Sequence, residues 1–458
     1  MLLLIERYLF YFFLFSIPFQ IRKILYYSGW KFNEWTSISL YVTDILMVML
    51  FCFWFFGCIL QYFQIRNPKF EILNNIKYQI SNIKIYEYFL LIFIAISAVS
   101  IKNSDNVFIS WFQWLKLVEF TVFYFYLSRY VFGKFGLVGS FFAILAGGSF
   151  QAIIAIIQFV KQSSIGLKYL GESLINSDIT GVASFYLPNG EKIIRSYGTT
   201  PHPNILAGFL FLSLFAFYFI YFYLHNKDRI FNKFWGIFMV ISSTAILFAF
   251  FATFSRTVIF IFFTGFCIQL AVGLIKKNYR KYIAEKSSRK RITVILWSGL
   301  AVIILFNLIY FDAVLNRIRI DTDEQAVRLR YFYIEEALKT DLNLFGVGTG
   351  NFVGWLMAEE PFLLTYAYQP VHNIYLLIYS ENGILGLLVF ILFLTFLLSD
   401  FIRKTKLEKF SHLSILILFS SFLFIGFFDH FLWTLQQGRF IFWSSVGLLT
   451  YFSDCDVI

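Results

Sequence analysis

Long, unbroken apolar runs separated by polar segments dominate the chain. Twelve can be drawn, at residues 3–21, 41–63, 86–101, 107–127, 135–160, 204–224, 234–252, 257–275, 292–311, 373–398, 412–433 and 436–452. Most are close to the about 20 residues that an α-helix needs to cross a bilayer. A membrane barrel would instead alternate apolar and polar positions in short segments. The pattern therefore predicts an all-α polytopic membrane protein with about twelve transmembrane helices, residues 1–458 forming a single integral membrane domain. No internal repeat is evident, which weakens a transporter reading.

The polar segments orient the runs, because short cytoplasmic loops collect Lys and Arg. Segment 276–291 holds Lys276, Lys277, Arg280, Lys281, Lys286, Arg289, Lys290 and Arg291 against Glu285. Counting spans from there puts 401–410 (Arg403, Lys404, Lys406, Lys409) and 64–85 (Arg66, Lys69, Lys77, Lys84) on the same side. Both termini then face the cytoplasm. Arg22 and Lys23, at the outer end of the first run, go against the rule. Two long segments fall on the outer side, 161–203 and 312–372. Long loops in compact membrane proteins carry function or fold as small caps. Within the second, residues 321–340 read as a helix, with Asp321, Thr322 and Asp323 offering N-cap chemistry. Val327, Tyr331, Ile334 and Leu338 make an apolar stripe at helical spacing. Such a helix is expected to lie at the membrane surface.

Composition agrees with the run pattern. Hydrophobic residues are 59% of the chain and charged ones 14%, against about 25% charged in a soluble domain. Too few charges remain to coat soluble domains, which excludes a soluble globular enzyme, a disordered chain and a nucleic-acid-binding domain. The net charge of +11 then reports cytoplasmic loops. Cys52, Cys58 and Cys267 lie in apolar runs and Cys455 in the tail, so neither a disulfide framework nor a metal site is expected. No small-residue cleavage site follows the first run, which is read as a retained span.

Candidate chemistry gathers on the outer side. Residues 195–204 read Arg-Ser-Tyr-Gly-Thr-Thr-Pro-His-Pro-Asn. Pro201 and Pro203 keep helix from starting before Asn204, a natural N-cap. A rigid turn with a snorkelling Arg195 explains the prolines, but not why Arg195, Gly198, His202 and Asn204 cluster. Arg256, in the short connection Phe254-Ser255-Arg256-Thr257, must lie close to the bilayer. An arginine there faces water, protein or an anion, or simply snorkels. Arg330 flanks the stripe of the surface helix and Arg328 lies on another face; both also fit a solvated helix surface. His372, in Pro370-Val371-His372-Asn373, opens the run that contains Glu381. A helix N-terminus lowers a histidine's pKa and keeps it able to accept a proton, although a lone histidine is more often structural. Glu381 lies nine residues on, roughly 13 Å along a helix. It is expected deeper in a cavity or paired with another span. Gly346-Val347-Gly348-Thr349-Gly350 matches no phosphate-loop spacing and reads as a turn. Asp429-His430 reads as structural, His225 and His412 as bland span-end residues, and Lys116 with Glu119 as a self-neutralising helix pair.

Several arginines suit a diphosphate, whose oxygens match guanidinium forks. A neutral histidine suits removal of a hydroxyl proton. No carboxylate cluster resembles a Mg²⁺ site. The combination points to a hydroxyl attacking a sugar carbon that bears a lipid diphosphate, with arginines instead of a metal and with no cofactor.

The chain resembles the O-antigen ligase and polymerase superfamily of bacterial membrane glycosyltransferases. The resemblance is carried by RSYGTTPHPNILA from Arg195, Ser255-Arg256-Thr257, Arg330 with Ala337-Leu338 and the following LFGVGTGNF, and HNIYLLIYSENGILGLL from His372. It covers most of residues 190–395. It implies a C-type glycosyltransferase architecture in the bacterial cytoplasmic (inner) membrane, with an outer-face helical loop and the active site on the outer face. The implied partners are an undecaprenyl-diphosphate-linked glycan donor, a lipid or glycan acceptor and membrane lipids, with no nucleic acid. Carried over, His372 is the catalytic base, and Arg256, Arg330 and Arg195 are donor-binding. Arg328, His202, Asn373 and Glu381 are accessory candidates. Metal-independent reaction with inversion is implied. Ile334 departs from the family, which often has Trp there, and this bears on packing more than chemistry. The motifs do not separate ligase from polymerase; the length and position of 312–372 lean toward ligase. A polyprenyl-glycan transporter would need a polar midplane path, and Asp44, Lys116, Glu119 and Glu381 are too few to make one.

Overall fold

The computed structural model describes residues 2–29, 31–64, 83–223, 233–276, 285–319, 325–340, 344–405, 407 and 409–454. The helices that fall on the apolar runs are α1 Leu2–Ser16, α2 Val42–Gln64, α3 Ile85–Ser100, α4 Val107–Tyr126, α5 Leu137–Lys161, α6 Pro203–Tyr223, α7 Lys233–Ala252, α8 Arg256–Ile275 and α9 Lys286–Ile309. Three short helices follow, α10 Phe311–Ile318, α11 Gln325–Lys339 and α12 Phe352–Glu359. The chain ends with α13 Ile374–Lys404, α14 Phe410–Ile425 and α15 Gln436–Asp454. The basic segment 277–284, most of 64–85 and His225 lie outside the described residues.

Among the described residues, seven helices are long and apolar enough to cross a membrane: α3, α5, α6, α7, α8, α9 and α13. Val42–Gly57 and Phe410–Ile425 are apolar but shorter. Twelve spans are therefore not established. The physical reason is polarity satisfied inside the protein. α4 carries Lys116, whose Nζ lies 2.7 Å from Asp44 and 2.9 Å from Glu119. α15 opens with Gln436 and Gln437, both buried. The core is a continuous aromatic and aliphatic mass, with Phe10, Phe123, Phe209, Phe419 and Phe440 among its fully buried side chains.

Arg22 explains its own breach of the charge rule. It starts β1 (Arg22–Tyr27), which pairs antiparallel with β2 (Ser37–Tyr41), Arg22 opposite Tyr41. Its Nη2 donates to Glu34 Oε2 at 2.7 Å, and its guanidinium lies over the Phe32 and Tyr41 rings. A paired and stacked arginine carries little free charge.

The surface helix α11 begins at Gln325, and the capping residues expected at 321–323 lie outside the described residues. The face that packs on the protein shares Ile334 with the apolar stripe. Tyr331 and Leu338 are exposed, whereas Tyr333 and Ala337 pack with Phe352, Val353, Leu356, Val371 and Leu377. The turn into α6 also differs from expectation. The helix starts at Pro203, which suits a first helical position, and His202 Nδ1 accepts the Asn204 backbone N–H at 3.2 Å. His202 thus takes the capping part assigned to Asn204.

α13 is broken at Gly383, whose φ of 69° and ψ of −175° are not helical. The break frees carbonyls that a continuous helix would use. The glycine run fills it: Val347 N donates to Ser380 O at 2.8 Å and Gly348 N to Glu381 O at 3.0 Å. Gly346 has φ +69°, and a Cβ there would come 2.5 Å from Ser380 O. Gly346→Ala is expected to destabilise the protein by more than about 1 kcal/mol. Thermal unfolding in detergent should show the loss as a lower midpoint than wild type.

Candidate functional site

Three turns on the side of the bundle that holds the 161–203 and 312–372 segments build one polar cluster. The first joins α7 to α8, where Phe254 takes φ +46°. Its backbone is held by the segment before α6: Ser196 N donates to Ala252 O at 3.1 Å, and Arg195 Nε to Thr253 O at 2.7 Å. Arg195 Nη2 also donates to Asn204 Oδ1 at 2.6 Å, and Asn204 Nδ2 donates to Asp429 Oδ2 at 2.6 Å. A continuous relay therefore runs from the turn bearing Arg256 to the turn after α14. Ile374 N donates to Gly426 O at 2.7 Å, tying the start of α13 to that same turn. Asn373 caps α13, its Oδ1 accepting from Tyr375 N and Leu376 N at 2.9 and 3.0 Å.

His372 sits where these meet. Its ring stacks on Tyr333 with centroids 5.7 Å apart and contacts the His430 ring edge-on at 4.9 Å. Tyr333 is itself fixed, its hydroxyl donating to Ala367 O at 2.6 Å. His430 Nδ1 lies 2.7 Å from Thr434 Oγ1, and its ring meets Trp35 at 5.0 Å.

Electrostatics follow from burial. Loss of solvent lowers His372 to about 4; Arg330 pushes the same way, against the Asp429 carboxylate. Burial likewise lowers His202 and His430 to about 3. Burial alone would raise Asp429, but His430, His372, His202 and Arg330 outweigh it and hold the carboxyl at about 2. Burial lowers Arg195 to about 9, with help from the neighbouring charges of Arg317 and Arg256. At neutral pH the cluster thus holds three uncharged imidazoles, one carboxylate and several guanidinium groups.

Of the residues singled out in the sequence, Arg195, His202, His372 and Arg330 all act on Asp429 through hydrogen bonds or charge. Arg256 joins through Arg195 and is half-buried, its Nη1 3.4 Å from Arg319 O. Arg328 is exposed on another face of α11. Glu381 stands apart and buried beside the α13 break, its carboxylate taking backbone N–H groups of Gly350 and Phe352. Asp429, His430 and Arg317 were missed. Asp429-His430 was read as a structural pair, yet it forms the centre of the cluster. Arg317 had no motif around it.

Residues 241–391 match the O-antigen ligase family. This match supports a likeness to the O-antigen ligase and polymerase superfamily. Members of the O-antigen ligase family are membrane glycosyltransferase-like enzymes that act on lipid-linked glycans. The matched segment holds Arg256, Arg330, His372, Asn373 and Glu381, while Arg195, His202 and Asp429 come from flanking chain. No match is found among curated proteins or solved structures.

The depressed histidines set a pH dependence of stability. Below about pH 6.5 they protonate in the unfolded chain, while His372, His202 and His430 stay neutral in the folded one down to about 4, 3 and 3. The unfolded state then binds more protons, so stability falls as pH drops from about 6.5 toward 4. The Asp429 carboxyl, held at about 2, contributes its stabilisation throughout that window and loses it only below. Melting midpoints at pH 7 and pH 4.5 should differ, and the difference should shrink in His202→Asn.

Proposed function

We propose that this protein transfers a glycan from undecaprenyl diphosphate to an acceptor hydroxyl at the outer face of the cytoplasmic membrane, as an O-antigen ligase of C-type architecture with both termini cytoplasmic. The observation that supports this reading is the buried His372, packed on Tyr333 and His430 in the field of Arg330 and of the Asp429 carboxylate, which Asn204 links to Arg195. In the proposed reaction His372 takes the acceptor hydroxyl proton as the oxygen bonds to the anomeric carbon. The bond from that carbon to the diphosphate breaks, its electron pair leaving with the diphosphate. Attack from the opposite side inverts the centre. Arg256 and Arg330 stabilise the departing charge. Asp429 stabilises the imidazolium, as a carboxylate beside a histidine base does. Arg195 spends Nε and Nη2 on Thr253 and Asn204, so its part is to position the Arg256 turn and add charge. No metal or cofactor is invoked.

Polymerisation of lipid-linked repeats is the alternative within the superfamily. The test compares host cells with and without the protein, sizing the surface and lipid-linked glycan pools separately. Loss of the protein should leave long lipid-linked chains and no surface glycan. If only single repeat units remain, the protein is a polymerase. If the lipid-linked pool shifts to the inner leaflet, it is a transporter.

A further inference from the structure

Beside the histidine cluster lies a second, separate cavity of about 90 Å³, bounded by β2, α4, the α13 break and the start of α15. We propose that it is a saccharide subsite, which receives a neutral sugar ring of the donor or the acceptor glycan. The inference rests on the transfer reading above.

Four observations carry it. The hydroxyls of Ser39 and Ser97 line the cavity, are buried, and have no hydrogen-bond partner among the described residues. Buried hydroxyls are normally bonded, and a polyhydroxyl ligand would supply both with partners. The charges around the cavity are matched within the protein. Arg22 pairs with Glu34, and Lys116 with Asp44 and Glu119. Arg439 donates to the neutral oxygens Gln113 Oε1 at 2.7 Å and Trp433 O at 2.6 Å, and the Glu119, Glu381 and Asp44 carboxylates face its charge. A phosphate here would meet the carboxylates of Glu34, Asp44, Glu119 and Glu381 beside those cations, whereas an uncharged sugar would not be repelled. Trp35 and Trp433 line the wall, offering flat apolar faces to a ring's C–H side beside polar groups for its hydroxyls. Finally, the cavity adjoins the proposed base. Trp35 touches the His430 ring at 5.0 Å, Thr434 bonds His430 at 2.7 Å, and Pro370 lies two residues from His372. The histidines thus neighbour both this cavity, suited to a sugar, and the arginines proposed for the diphosphate.

The test uses the full chain in nanodiscs and the variant Ser39→Ala/Ser97→Ala, which removes no existing bond between described side chains. Binding is measured for undecaprenyl diphosphate and for the host's own undecaprenyl-diphosphate-linked glycan, and KM is measured for the acceptor. The sugarless lipid should bind within about twofold of wild type. If the cavity takes the donor sugar, the glycan-bearing lipid should bind about tenfold more weakly. If it takes the acceptor sugar, donor binding holds and the acceptor KM rises about tenfold. Unchanged values on all three overturn the subsite alone, as does an equal loss for both lipids, which would mark a phosphate site. Failure of the wild type to bind the sugarless lipid overturns the donor reading and the subsite with it.

Discussion

His372→Ala is expected to lower glycan transfer by about 10²–10⁴-fold, the range a positioned general base contributes, while donor binding changes by less than about threefold. The separation follows from position. His372 packs against the Tyr333 and His430 rings, and the direct hydrogen-bond partner of the Asp429 carboxylate is Asn204. Its proton affinity is what the site adjusts: burial and Arg330 hold it at about 4, so it is free to take a proton throughout the physiological range. Truncation opens space beside Tyr333, so His372→Gln, which fills that space, serves as the control. Both variants should lose transfer, and only the alanine variant should lose several degrees of melting midpoint. Full activity in either would make His372 a packing residue.

Arg330→Ala is expected to weaken undecaprenyl diphosphate binding by about 10–100-fold, the equivalent of about 1.5–3 kcal/mol for hydrogen bonds to a charged group. Arg330→Lys should recover part of this, because a lysine keeps the charge and loses the fork. A second readout is independent of affinity. Arg330 depresses His372, and Asp429 raises it. Removing the guanidinium should therefore raise the His372 pKa above about 4, and the acid limb of the transfer rate should move to higher pH by the same amount. An acid limb that stays in place would separate Arg330 from the base.

Much of the helix content was legible because apolar runs of membrane length admit few alternatives. What escaped was decided by partners distant in sequence. Gly383 sits inside an apolar run, and its neighbour Asn382 was the only hint of a turn; the break is stable because Val347 and Gly348 bond the freed carbonyls. Seven of the twelve runs stand as helices long and apolar enough to span among the described residues; others carry buried polar groups such as Lys116 and Gln436 that lower their mean hydropathy. In the candidate cluster, His372, Arg330, Arg195 and His202 were singled out from local cues such as prolines, short connections and a helix start. Asp429 was not, because the bond that gives it meaning comes from Asn204, 225 residues earlier. Its pairing with His430 is equally common in structural turns, and only the cluster distinguishes the two.

The most direct measurement is a cryo-electron microscopy structure of the full chain in nanodiscs with undecaprenyl diphosphate bound. The account predicts the two phosphates against Arg256 and Arg330, with the outer phosphate beside His372 and the prenyl tail running into the bilayer. A diphosphate bound in the cavity lined by Ser39 and Ser97, or anywhere beyond reach of His372 and these arginines, would contradict it.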